Sequence, residues 1–165
     1  QTIRKEAISI LRNSRNPRTI KILMNLLNDP GEEIRILTLR TLATSNDRQV
    51  VKTLVDTINR KDFRLKSLHE RKAYFHAVAK IIGDDFIPFL RTILRASHWF
   101  RRQELSEIYQ CATFALSVLG TPLARDVLQN AAATGNKTVR KLSESALRHL
   151  LSGSSERSAE AAHDH

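Results

Sequence analysis

Apolar residues recur at three- and four-residue intervals along nearly the whole chain, the period of helices that bury one face. After Pro17, which suits the first turn of a helix, Ile20, Leu23, Met24 and Leu27 fall on one side. The stretch "NDPG" interrupts the pattern, and Ile34, Leu37, Leu39 and Leu42 resume it on a second helix. Together these segments predict a helical hairpin. The alternation continues with Val50, Val51, Leu54, Val55 and Ile58 paired to Tyr74, Ala77, Val78, Ile81 and Ile82. A third hairpin pairs Phe86, Ile87, Phe89, Leu90, Ile93 and Leu94 with Ile108, Cys111, Ala112, Ala115, Leu116 and Leu119. A fourth pairs Leu123, Val127, Leu128 and Ala131 with Val139, Leu142, Ala146, Leu147 and Leu150. Gly83 and Gly120 stand where a glycine commonly ends a helix, and Asp84, Thr121 and Asn136 read as N-caps.

Similar endings recur: "EAISILRN", "LTLRTLATSND", "AVAKIIGDD", "FALSVLGTP" and "ESALRHLLSG". Aligning Leu11, Leu42, Ile82, Leu119 and Leu147 gives spacings of 31, 40, 37 and 28 residues, the range of helical-repeat units. The expected fold is all-α, a right-handed α-solenoid of about four hairpins spanning residues 1–151. The remainder, 152–165, is polar and small, and is expected to form a disordered C-terminal tail.

These units resemble HEAT repeats, in particular the short bacterial variety called PBS-lyase-like. The openings "IRKEAISIL", "IRILTLRTL" and "VRKLSESAL" and the closings "SVLGTP" and "KIIGDD" carry the likeness. The second and third units depart from it, with Tyr74, Phe75 and Cys111, Ala112 where a hydrophobe–Arg pair would stand, and both have longer internal turns. The resemblance implies a ladder in which Arg4, Arg35 and Arg140 link adjacent second helices through neighbouring acids or carbonyls.

A stack of such hairpins places every inner turn along one edge. The two enlarged turns, "NRKDFRLKSLHERK" and "RASHWFRRQE", would then lie side by side. Arg60, Lys61, Phe63, Arg64 and Lys66 would meet His98, Trp99, Phe100, Arg101 and Arg102 in a basic and aromatic rim. Arg95 flanks it. The chain's 27 Lys and Arg against 17 Asp and Glu, a formal charge of +10, would draw a polyanion or an acidic protein surface toward it. Three roles stay open: an intramolecular plug of helix ends by Phe63, Trp99 and Phe100, a protein-binding surface, or a nucleic-acid contact built on stacking and phosphate attraction.

The leading functional reading is a scaffold that binds another protein, or another domain of the same chain, through the concave row of second helices and this rim. Self-association through the first helix, with Ile3, Ala7, Ile8, Ile10 and Leu11, is a further expectation, because the chain enters a helical pattern at once, as an excised or processed C-terminal part of a larger bacterial protein would.

No enzyme is expected. The chain has no Gly-rich phosphate loop, no zinc spacing and no nucleophile with its base. The single pair His69–Glu70 falls short of the repeated His–Glu pairs of HEAT-like iron hydroxylases, and Asp62 and Glu104 lack the signs of a poised glycosylase acid. His163 and His165 with Asp164 offer only incidental metal contact. No cofactor is expected. The lone Cys111, in an apolar row, reads as a small buried residue of a reducing, cytoplasmic compartment. At 41% apolar and 27% charged the chain is ordinary for a globular domain, and no apolar run reaches the length of a membrane span.

Overall fold

The computed structural model describes residues 2–11, 16–45, 47–96 and 102–161, with side chains throughout except at 2, 102–104 and 153–161. Regular structure in these segments is helical: α1 (Thr2–Leu11), α2 (Pro17–Leu26), α3 (Glu32–Ala43), α4 (Arg48–Ile58), α5 (Leu68–Ile82), α6 (Ile87–Arg95), α7 (Arg102–Leu119), α8 (Pro122–Thr134) and α9 (Lys137–Ala161). Short 3-10 turns occupy Lys61–Leu65 and Gly83–Phe86. The chain divides into two compact units, Gln1–Phe86 and Ile87–His165.

In the first unit α2 packs on α3 and α4 on α5, while α1, α3 and α5 stand side by side in a row. In the second, α6 packs on α7 and α8 on α9, with α7 against α9. Each unit thus has the layered hairpins of an all-α, HEAT-like solenoid, in the pairs the apolar spacing predicts.

Local chemistry explains the element boundaries. The side chain of Asn16 accepts the Arg18 amide ahead of Pro17, and Asp47 accepts the Gln49 amide, so α2 and α4 begin with satisfied donors. Thr121 caps α8 through the Ala124 amide, and Asn136 caps α9 through the Thr138 and Val139 amides. Asp84, expected as an N-cap, precedes α6. It lies inside the 3-10 turn Gly83–Phe86, which runs directly into that helix without an intervening extended residue. Gly83 ends α5 at φ 58° and ψ −134°, a backbone state closed to most L-residues, and its amide bonds the Ala79 carbonyl.

A helix flanked on both sides buries more than one stripe. In α3, Ile34, Ile36, Leu39 and Leu42 are buried, together with Thr38 and Thr41, whose hydroxyls donate to the Ile34 and Leu37 carbonyls. The expectation of Leu37 in the core is therefore corrected, since it is half-exposed and Ile36 takes the inner position. Leu123, also expected inside, is exposed because it sits in the first turn of α8, while Ala124, Val127 and Leu128 face inward. Cys111 is buried. Helix α9 continues past Leu151 to Ala161, through residues expected to form a tail.

One ionic cluster ties the first unit together. The carboxylate of Glu70, on α5, is fully buried and receives Nε and Nη2 of Arg35 from α3, at 2.8 and 2.6 Å. Lys66 Nζ adds a third contact at 2.7 Å. Arg35 also donates to the Asp29 and Pro30 carbonyls, at 2.8 and 3.1 Å. Arg4 reaches the Asp29 carboxylate at 2.6 Å, which in turn accepts the Gly31 amide. Arg4 and Arg35 thus perform the linking role that the resemblance implies. Arg140 is exposed and makes no ion pair among the described residues.

Burial alone would push the Glu70 carboxyl up, but the hydrogen bonds from Arg35 and Lys66, with their charges, outweigh it and hold the group below the usual carboxylate range. Its contribution to stability is therefore present above the carboxylate's ordinary value of 4.5 and is lost as pH falls below it.

Two measurements check this account. Arg35→Ala leaves a buried carboxylate with only Lys66 to match it, and should lower the unfolding free energy in urea by about 3 kcal/mol. Gly83→Ala meets no atom within 4 Å, so its cost is conformational alone, about 1–2 kcal/mol in the same assay.

Candidate functional site

The row α1, α3, α5 buries its lower face on α2 and α4 and leaves an outward strip. On α3 this strip is Glu33, Leu37 and Arg40, and on α5 it is His69, Lys72, His76 and Lys80, each exposed or half-exposed. The spacings of three and four residues put each set on one side of its helix. Residues 70, 71, 73–75 and 77–79 of α5 are buried, so its solvent face is this strip. Two links, Arg35 to Glu70 and Ser67 to Glu32, join the N-terminal ends of α3 and α5, each across 35 residues, so the two helices run in the same sense.

Parallel helices align their charges. Glu32 and Glu33 lie in the first turn of α3, while Arg40 and Lys80 lie in the last turns of α3 and α5, each sign complementing the helix dipole there. A cavity of about 460 Å³ opens between α1, α3 and α5, lined by Lys5, Glu33, Ile36, Leu37, Arg40 and His69. At its acidic end Lys5 pairs with Glu33 and holds that carboxyl below its usual range. Farther along α5, outside the cavity lining, burial and the charges of Lys80 and Arg40 together push the His76 imidazole below its ordinary 6.5. Unfolding relieves that, so the stability His76 contributes is present above this value and falls as the solution is acidified through it.

The expected rim fares differently. Phe63 is only 4% exposed and packs edge-on against Tyr74, with ring centroids 5.4 Å apart, and against Phe75 at 6.5 Å. It plugs the first unit, its ring set by the five-residue 3-10 turn against the middle of α5. Lys66 serves Glu70 and lies over the Tyr74 ring. Burial, with the Glu70 charge, raises the Tyr74 hydroxyl to about 12, so it stays protonated. Arg60 pairs with Asp62 at 2.9 Å and holds that carboxyl low. Lys61 and Arg64 are exposed. His98, Trp99, Phe100 and Arg101 lie outside the described residues, as do the side chains of Arg102 and Glu104.

Glu70 is buried on Arg35 and Lys66 while His69 faces solvent, so the two do not converge on one site. Asp62 lies exposed beside Arg60. Sequence reasoning singles out Glu70 only as half of a His–Glu pair and does not single out Arg40 or Lys80. For Glu70 a signal existed: Ser67 to Glu70 has the spacing of a capping box, and the Ser67 hydroxyl does accept the Glu70 amide, but the carboxylate turns to Arg35. In the second unit, a cavity of about 470 Å³ lies between α6, α8 and the α8–α9 turn, edged by Arg91, Arg95, Asp126 and Asn130. The Tyr109 hydroxyl donates to the Ala96 carbonyl and accepts from Asn136, joining that turn to the end of α6.

Residues 1–70 match the family model of HEAT repeats, so this segment is similar to that family. The match is to HEAT repeats as a class rather than to the PBS-lyase-like variety. HEAT repeats generally serve as scaffolds for interaction between proteins. No curated protein matches the chain. Among the described residues no helix is long and apolar enough to cross a membrane.

Lys80→Gln removes one of the charges that depress His76. The His76 ring should then titrate at higher pH, by NMR of its carbon-bound ring protons, whereas Lys52→Gln on α4 should leave it in place.

Proposed function

We propose that the chain is a non-enzymatic interaction module of the cytoplasm that binds another protein, or another domain of its own chain, through the outward face of its second helices. One observation carries this reading: Leu37, Arg40, His69, Lys72, His76 and Lys80 form a continuous solvent-facing strip beside a cavity, on helices whose remaining faces are committed to the core. Rigid helices hold such a strip in fixed spacing, which lowers the ordering cost of binding. The exposed Lys61 and Arg64, on the turn leading into α5, extend the surface at its N-terminal end. Ile3 and Ile10, 82% and 78% exposed on α1, offer a second apolar patch suited to self-association. The burial of Cys111 as a free thiol suits a reducing compartment.

Site-specific photo-crosslinking in the source cell tests the face. A crosslinker at Leu37 should trap a discrete protein partner, or another segment of the same chain, and one at Lys52 on α4 should not. Equal trapping at both positions, or trapping at Lys52 alone, would move the site off the second helices.

A further inference from the structure

The outward strip is not electrically uniform, and its polarity says what it can hold. At the N-terminal end stand Glu32 and Glu33, with Lys5 paired to Glu33. At the C-terminal end, Arg40 of α3 and His76 and Lys80 of α5 lie close enough for both cations to act on the imidazole. His69 and Lys72 continue the same line on α5. Glu70, next to His69 on α5, is buried and matched by Arg35 and Lys66, so its charge is already compensated. Between the two ends lie Ile36 and Leu37.

We infer that the C-terminal half of this face, centred on Arg40, His76 and Lys80, is a docking site for an acidic protein segment whose carboxylates alternate with apolar side chains. The inference rests on the interaction reading above and specifies the partner's chemistry. Carboxylates would relieve the mutual repulsion of Arg40, Lys80 and a protonated His76, and an apolar side chain would cover the half-exposed Leu37. Charge complementarity of this kind sets orientation and speeds encounter. A polynucleotide fits less well, because its uniform negative charge would run onto Glu32 and Glu33. Among the described residues the strip also carries no aromatic side chain on which a base could stack.

Arg40 from α3 and Lys80 on its own helix both act on the His76 imidazole, with Lys72 one turn away on α5. A bound carboxylate favours the imidazolium, so binding takes up a proton and tightens as pH falls through the His76 titration.

The experiment uses the whole chain and a fluorescein-labelled peptide of alternating glutamate and leucine, followed by fluorescence anisotropy at low salt. The peptide should bind, and binding should weaken as salt is raised. Arg40→Glu and Lys80→Glu should each weaken it about tenfold, while Lys52→Glu, the same charge change on α4, should alter it less than about twofold. All of these side chains are exposed, so circular dichroism should show unchanged helix content. Absence of binding, or equal loss with Lys52→Glu, would overturn the inference. Tighter binding of a single-stranded oligodeoxynucleotide that is lost in the same two variants would also overturn it, assigning the face to nucleic acid. If the peptide fails while Leu37 still crosslinks to a partner, only the acidic chemistry falls; if neither occurs, the face itself is wrong.

Discussion

A fully buried carboxylate must be met by matched charge, and in the first unit that demand organises the surrounding helices. Glu70 takes both arms of Arg35 and the amine of Lys66, and Arg35 in turn holds the carbonyls of the turn before α3. Removing charge from one member would strand the others in a low-dielectric site, where the cost of an unpaired ion runs to several kcal/mol. The cluster therefore fixes the register of α5 on α3 more sharply than apolar packing could. Leucine and isoleucine tolerate small slides, whereas a bidentate pair has one geometry.

That register has a functional consequence. Because α3 and α5 run in the same sense and are locked at their N-terminal ends, their C-terminal turns also lie abreast, and the cations placed there for the helix dipole become neighbours. Arg40 and Lys80 are each unexceptional alone. With His76 half-buried near both, they give a positive end to a face whose other end is acidic. Local helix energetics and tertiary alignment together create the polarity.

The enlarged turn before α5 shows how an aromatic insertion can be put to structural use. Phe63 enters a cluster with Tyr74 and Phe75, and Phe75 continues to Phe86 with centroids 5.8 Å apart, so three rings beyond the turn share one packed region. Its basic companions include Arg60 and Lys66, which satisfy nearby acids, and the exposed Lys61. A composition typical of interfaces is here partly the composition of a well-anchored turn, since burying one ring stabilises by about 2–3 kcal/mol.

Helical class, hairpin pairing and most caps were written in the chain itself, because period, proline, glycine and Asx positions act over a few residues and each meets its partner nearby. Thr121 and Asn136 illustrate this, and so do the glycines at 83 and 120, both at positive φ. What the linear order left open was every feature depending on which helices become neighbours. Leu37 yielded its inner place to Ile36, Phe63 went inside, and Glu70 found Arg35 at a separation of 35 residues. The strip of Arg40, His76 and Lys80 belongs to the same group. Periodicity marks which side of a helix is apolar, but only the packed row decides how wide the buried side becomes and which charges are left facing one another.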